Sequence, residues 1–384
     1  MPNRAEQQAD AIVVGAGAIG LACAWRAAQR GLRVRVLERD APASGASGVA
    51  AGMLAPVGEA TWGEERLVEL ALASHRSWPG FAAELESASR AAVGHLPLGA
   101  LHAALDRDEA EELRRRFELM RELGLEAEWL RPREARELEP GLAPRCAAAV
   151  HAPHEAGADP RALVAALGAA AEREGVEVRT GAEVVEGLIA GNAIEWVRTA
   201  GGAEHRADRV VLAAGAWSAA KWLPAAARPP VRPVKGEILT LRAATPPSRR
   251  IVVTERVYVV PRGDGQVVVG ATVEERGFDL AVTAGGVLEL LREGYRALPE
   301  LVELELVETV AGLRPGTPDN APLIGVGALD GLVLATGHFR NGILLAPVTA
   351  DAVAALLCGE EPAAELAVAD PRRFSAGALE AAAR

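Results

Sequence analysis

Between Ala11 and Glu38 the chain sets an apolar run, Ala11-Ile-Val-Val14, directly against Gly15-Ala-Gly17-Ala-Ile-Gly20. A helical stretch to Arg30, a glycine at 31 and a second run from Arg33 to Leu37 follow. Strand, glycine turn, helix and strand in this order make one βαβ unit, which commits the chain to an α/β fold built on a parallel sheet. Gly15 allows the tight turn, Gly17 brings backbone up to a pyrophosphate, and Gly20 lets the helix pack close to the sheet. The N–H groups of Ala18 and Ile19 at the helix start attract phosphate charge. Glu38 ends the second strand, where its carboxylate accepts hydrogen bonds from a ribose and repels a 2′-phosphate, which disfavours NADP; Arg39 follows it.

The rest of the composition narrows the chemistry. At 384 residues, half of them apolar, the chain can build two or three domains with sizeable cores. A net charge of −11 and a pI near 5.3 argue against nucleic acid as a partner, because phosphate binding needs a basic face. Cys23, Cys146 and Cys358 lie far apart and indicate neither a disulfide framework nor a thiolate metal site; each reads as a buried small hydrophobe. The histidines show no metal spacing, so no metal is expected. Residues 1–10 lack the apolar core of a signal peptide, and no apolar run reaches the ~18 residues of a membrane span, so a cytoplasmic protein is expected.

Further along, helical periods cover Glu65 to Leu85, with Pro79 a candidate kink, and Arg107 to Leu123 before Gly124. Asp159-Pro160 is an N-cap and first-turn pair that opens a helix to Glu174, followed by a strand Val176 to Arg179. Ile194 to Val197 and Val210 to Ala214 read as strands, the latter closed by Gly215. From Val231 the character turns to β: Ile238–Leu241, Ile251–Val253, Val257–Val260 and Val267–Ala271, with Arg262-Gly-Asp-Gly265 as a hairpin turn. A helix near 287–298, a strand 304–310, a loop Gly312-Leu-Arg-Pro-Gly316, a strand 331–335 and a last helix complete the chain. The charged run Arg131 to Glu139 reads as a solvated face.

Two segments carry more chemistry. Ala43 to Pro56 is nearly all small residues, with Ala46, Ala51, Gly52 and Met53 among them and Ser44 and Ser47 as polar groups. That suits backbone running along an extended cofactor; a serine-hydrolase elbow does not fit, since Val49 stands where glycine is needed. Thr336 to Pro347 combines a cation, Arg340, with Gly337, Gly342 and the start of the last helix after Gly342, an arrangement that favours a ligand of partial negative charge.

The chain resembles the D-amino-acid oxidase superfamily of flavoproteins and, within it, the glycine oxidases that feed thiamine thiazole synthesis. The matching stretches are Gly15 to Gly20 with Glu38, Ala50 to Leu54, Val211 to Trp217, Pro233 to Glu237, Tyr258 to Pro261 with Val269 to Thr272, Ala311 to Thr317, and Gly337 to Pro347; they span nearly the whole chain. The resemblance implies a two-dinucleotide-binding (glutathione-reductase-like) Rossmann FAD domain from residues 1–62, 146–230 and 305–384. A mixed sheet and helix substrate domain from 63–145 and 231–304 is inserted into it. It implies that Arg314 pairs with a substrate carboxylate, Tyr258 donates to it, and Arg340 positions substrate at the flavin, these three forming the catalytic and substrate-binding set. Val184, Gly215 and the segment His338, Phe339, Arg340, Asn341, Gly342, Ile343 and Leu344 are implied as cofactor contacts.

Further implications are a small amino-acid substrate, O2 as acceptor with H2O2 as product, and a homo-oligomer, a tetramer in the resembling family. FAD is expected to be non-covalent, because Cys358 lies outside the 338–341 segment. Lys235 reads as a structural contact near the flavin, with an oxygen-activating role as the alternative. Val273 and Val310 stand where larger residues are expected and are candidates for the pocket wall beyond the substrate Cα. The alternative within the superfamily is another D-amino-acid oxidase or dehydrogenase, or a sarcosine-oxidase-like amine oxidase. Outside it, a flavin-binding subunit without turnover leaves Tyr258, Arg314 and Arg340 unexplained, and an NAD-dependent dehydrogenase leaves the small-residue and C-terminal segments unexplained.

Overall fold

A computed structural model describes residues 8–374; residues 1–7 and 375–384, which the expected first domain includes, lie outside the described residues. The first apolar run forms the strand Gln8–Val14, parallel to Val34–Leu37 on one side and to Glu204–Leu212 on the other. Leu332–Thr336 and Glu177–Arg179 extend this parallel sheet at its two ends, and Leu323–Val326 adds an antiparallel edge. The hairpin of Val184–Ala190 and Ala193–Thr199 joins along Glu204–Leu212.

Because side chains alternate along a strand, Val13, Val36, Val211 and Val333 enter one core, while Ile12, Leu37, Val210 and Leu212 enter another. The helices Ala18–Gln29, Glu65–Ser89, Pro160–Arg173 and Ala346–Leu357 supply the other side of the first core. Asp159 caps its helix as expected, accepting from the Arg161 and Ala162 N–H groups at 2.8 and 3.1 Å. Pro79 sits inside Glu65–Ser89 without ending it.

A second sheet runs Glu305–Gly316, Arg232–Arg242, Gln266–Gly270, Tyr258–Pro261, Ile251–Val253, Ala100–Ala104, Ala148–Ala152 and Glu128–Leu130. It is antiparallel except where Ile251–Val253 meets Ala100–Ala104. Residues 148–152 and 305–316, expected in the first domain, thus hydrogen-bond into the second sheet. Residues 312–316, expected as a loop, instead end a strand paired along its length with Arg232–Arg242. Pro315 lies opposite Pro233, so the two missing N–H groups fall together at the end of the ladder, and long-range pairing overrides the local Gly and Pro signals.

Three smaller expectations also change. The last helix begins at Ala346 rather than just after Gly342, because residues 342–345 form a turn and Pro347 lies in the helix's first turn. The run 131–139 contains the helix Pro132–Leu138 and keeps Arg131, Arg133 and Glu137 exposed as expected, but Glu139 at its end is buried, accepting from the Arg249 and Arg250 N–H groups. Cys23 and Cys146 are buried, but Cys358, at the end of the last helix, is exposed. No helix among the described residues is long and apolar enough to cross a membrane.

Candidate active site

Val14, Leu37 and Ala213, at or just past the C-terminal ends of three parallel strands, line a cavity of about 780 Å³. Ligands of open α/β sheets collect at such strand ends. Its near end is built from the glycine turn. Gly15 has φ +108°, and a Cβ there would stand 2.5 Å from the Ala213 carbonyl oxygen, so only glycine fits. Glu38 is fixed by backbone: Oε2 accepts from the Ala16 N–H at 2.7 Å and Oε1 from the Asp40 N–H at 2.9 Å. Ser47 Oγ accepts from the Ala18 N–H at 3.0 Å, satisfying one of the free donors of the helix start. Arg39 lies over the Trp217 ring at 4.5 Å, and Trp217 meets Phe278 at 5.7 Å, closing one flank.

The far end gathers charge. Arg314 projects from Glu305–Gly316 and donates to the Thr272 and Lys235 carbonyls at 3.1 and 3.4 Å. Among the described residues no carboxylate forms an ion pair with it. Its guanidinium lies against Gly236, where a Cβ would stand 2.3 to 2.6 Å from three of its atoms. The Tyr258 ring occupies the matching space over Gly270, whose Cβ would meet the hydroxyl at 2.4 Å. Burial pushes the Tyr258 phenol up, against the pull of the neighbouring Arg314 guanidinium, so it stays a neutral donor. Arg340 completes the group, its Nη2 3.0 Å from Glu59 Oε2.

Beside them, Phe339 adopts a left-handed backbone with φ +47°, unusual for a bulky residue and common where function fixes the chain. His338 is buried, its Nε2 3.0 Å from Thr349 Oγ1, and burial holds it down to about 3, so the ring is neutral. Among the described residues no backbone group accepts from the N–H of Gly342 or Ile343, and both residues line the cavity.

Of the residues singled out from sequence, Gly15, Gly17, Ala18, Ile19, Glu38, Arg39, Ala46, Ser47, Ala51, Gly52, Met53, Val184, Gly215, Tyr258, Arg314, His338, Phe339, Arg340, Gly342 and Ile343 line this one cavity. Gly20, Asn341 and Leu344 stand behind its wall. Gly20 packs on the Gly15 carbonyl, Asn341 donates its N–H to the His338 carbonyl, and the Leu344 carbonyl accepts from Ser74 and Trp78. Val273 and Val310 do not line it: Val273 is exposed, and Val310, opposite Ile238, packs on the cluster that includes Ile238 and Ala51 and borders an adjoining groove. Lys235 is off the wall as well. Its Nζ is buried 2.9 Å from Glu237 Oε1, on the face of its strand opposite Gly236.

Sequence reasoning missed Glu59, the two glycine seats and Arg262, which donates to the Ala50 and Ala51 carbonyls and pairs with Asp159 at 2.9 Å. Gly236 was visible inside the Pro233–Glu237 stretch, but nothing local marks Glu59. No group of His, Cys, Asp and Glu among the described residues is arranged to hold a metal ion.

The family model described as FAD dependent oxidoreductase matches residues 10–356. The chain is 36% identical over 361 residues to glycine oxidase of Geobacillus kaustophilus, covering 93% of this chain and 95% of that one. It is 37% identical over 351 residues to the bifunctional protein ThiO/ThiG of Trichormus variabilis, covering 90% of this chain and 52% of that longer one. The crystal structure of the Geobacillus kaustophilus enzyme superposes with a TM-score of 0.90 at 35% identity, over 96% of this chain and 99% of that one. The match spans most of the chain: it belongs to the FAD dependent oxidoreductase family, with glycine oxidases among its relatives, and FAD is its cofactor.

Proposed function

We propose that this enzyme oxidises glycine and other small amino acids with one carboxylate, sarcosine and D-alanine included, reducing O2 to H2O2 and supplying the imine for thiamine thiazole synthesis. The observation that carries the substrate reading is Arg314, a cation with no carboxylate partner among the described residues, seated beside a neutral tyrosine hydroxyl in the cavity that the glycine turn opens. The likeness to glycine oxidases carries the choice of glycine and the thiazole route.

The groups present fit FAD. Gly15, Gly17 and the helix start suit its pyrophosphate, Glu38 its ribose, and the small residues 46–53 its extended middle, while the Gly342 and Ile343 amides face the other end. No cysteine lines the cavity, which supports a non-covalent attachment. When bound, FAD supplies the acceptor for the hydride leaving the substrate Cα, and O2 takes the electron pair onward. Arg314 clamps the carboxylate with its planar fork, Tyr258 donates to the same group, and Arg340 borders the substrate position. Two points of the substrate are then fixed, so orientation is the chief contribution of these residues, with the free amides at 342 and 343 opposing negative charge. In this reading the first sheet and its helices hold the cofactor and the second sheet holds the substrate. We further propose a cytoplasmic homo-oligomer, a tetramer, a reading supported by the resemblance to the glycine oxidases.

Peroxide production with glycine, sarcosine, D-alanine, D-proline and a bulky D-amino acid tests the assignment. Turnover of glycine and its small analogues is expected. Fast turnover of the bulky substrate with none of glycine moves the enzyme to another D-amino-acid oxidase activity.

A further inference from the structure

At the substrate end of the cavity two guanidinium groups, those of Arg314 and Arg340, differ in their pairing. Among the described residues Arg314 has no carboxylate partner, whereas Glu59 stands 3.0 Å from the Arg340 guanidinium, and all three residues line the cavity with Tyr258. A solvent-facing ion pair carries little weight by itself, and the Arg340 side chain is 42% exposed; Glu59 is 24% exposed and held from below.

The residue before it, Gly58, is pinned by three side chains. Its N–H donates to buried Glu155 Oε1 at 2.5 Å, its carbonyl accepts from Arg116, and a Cβ on it would stand 2.1 Å from Cε1 of buried His102. Glu59 itself donates its N–H to the Ala55 carbonyl at 3.2 Å. The segment is therefore constructed to hold one carboxylate at one place on the cavity wall.

We infer that Glu59 is a specificity-determining residue: by neutralising Arg340 it leaves a single anion anchor and restricts the enzyme to amino acids bearing one carboxylate. Charge complementarity chooses partners more than it adds affinity, and an unpaired like charge in a confined site discriminates strongly. With Glu59 in place, a second substrate carboxylate that reaches Arg340 meets a carboxylate already bound to it. With its charge removed, Arg340 becomes a second anchor and amino diacids gain a partner. The inference rests on the reading of Arg314 as the first anchor.

The test compares wild type, Glu59→Gln and Glu59→Gln/Arg340→Leu, each as FAD-loaded protein. Oxidation of D-aspartate and of glycine is followed, and acetate and malonate are titrated against the flavin absorbance. Glu59→Gln is expected to raise the ratio of kcat/KM for D-aspartate over glycine about tenfold or more, through KM, and to tighten malonate relative to acetate by a similar factor. Adding Arg340→Leu removes both gains. Unchanged ratios in Glu59→Gln overturn the inference, as does a gain that survives Arg340→Leu. If wild type oxidises no amino acid, the proposed function fails, and the acetate and malonate titration still decides the role of Glu59.

Discussion

Replacing Gly236 by alanine isolates the seat of Arg314 from its chemistry. The new Cβ would lie 2.3 to 2.6 Å from three guanidinium atoms, where ordinary contact needs about 3.4 to 4 Å, so the guanidinium must move by roughly 1 Å or more. Gly236 does not use a left-handed backbone, so the alanine fits the strand itself, and the displaced group is the far end of a flexible side chain. Stability is therefore expected to change by less than about 1 kcal/mol, the entropy of the unfolded chain even favouring alanine. Function is more sensitive, because misplacing an orienting group by about 1 Å costs on the order of 100-fold. Gly236→Ala is accordingly expected to lower kcat/KM for glycine about 100-fold, near 2.7 kcal/mol, with FAD content and the urea midpoint close to wild type. Steady-state oxygen consumption, flavin absorbance and urea unfolding on one preparation measure all three. Wild-type kcat/KM with alanine at 236 would refute the claim that Arg314, at this position, anchors substrate.

Arg314→Ala removes the anchor itself: a carboxylate losing its bidentate partner costs about 2–5 kcal/mol, so kcat/KM is expected to fall roughly 30-fold or more while FAD stays bound, with Arg314→Lys restoring part. Unchanged kcat/KM in the alanine variant assigns the anchor elsewhere. Acid precipitation of the yellow holoprotein is expected to release FAD to the supernatant; colour kept in the pellet shows a covalent link. Burial holds His338 down to about 3 against an unfolded value of 6.5, so the unfolded chain binds the extra proton. The stability this gives is present above about pH 6.5 and is lost as pH falls toward 3, about 2 kcal/mol of it by pH 5. In urea unfolding at pH 7 and pH 5, wild type should lose about that much more than His338→Gln; equal losses show that the ring is not held neutral.

The residues legible from sequence are those whose meaning is local. A strand, a glycine turn and a helix within 30 residues state their own geometry, so the near end of the cavity was readable down to Glu38. The Asp159 cap was readable for the same reason. Arg314 was named only through family resemblance, and its surroundings were misread as a loop, because Gly312 to Gly316 carry turn residues yet pair with a strand some 80 positions earlier. Lys235 is a structural contact, as its first reading has it, but it lies off the cavity: alternation along a strand says that neighbours face opposite ways, not which way faces the ligand. Val273 lies past the end of its strand and is exposed rather than part of the pocket wall.

The sequence by itself therefore determined the βαβ start, the cofactor class and the small-molecule chemistry, since each rests on contacts between near neighbours or on total composition. Tertiary structure alone decided that Gly236 and Gly270 are seats for Arg314 and Tyr258, and that Glu59 meets Arg340 across 281 positions of chain. Burial of His338 to a neutral ring was decided the same way. Side-chain placement against a distant backbone, the cancelling of one charge by another and the loss of water are properties of packed neighbours, and a linear order of residues does not specify which residues become neighbours.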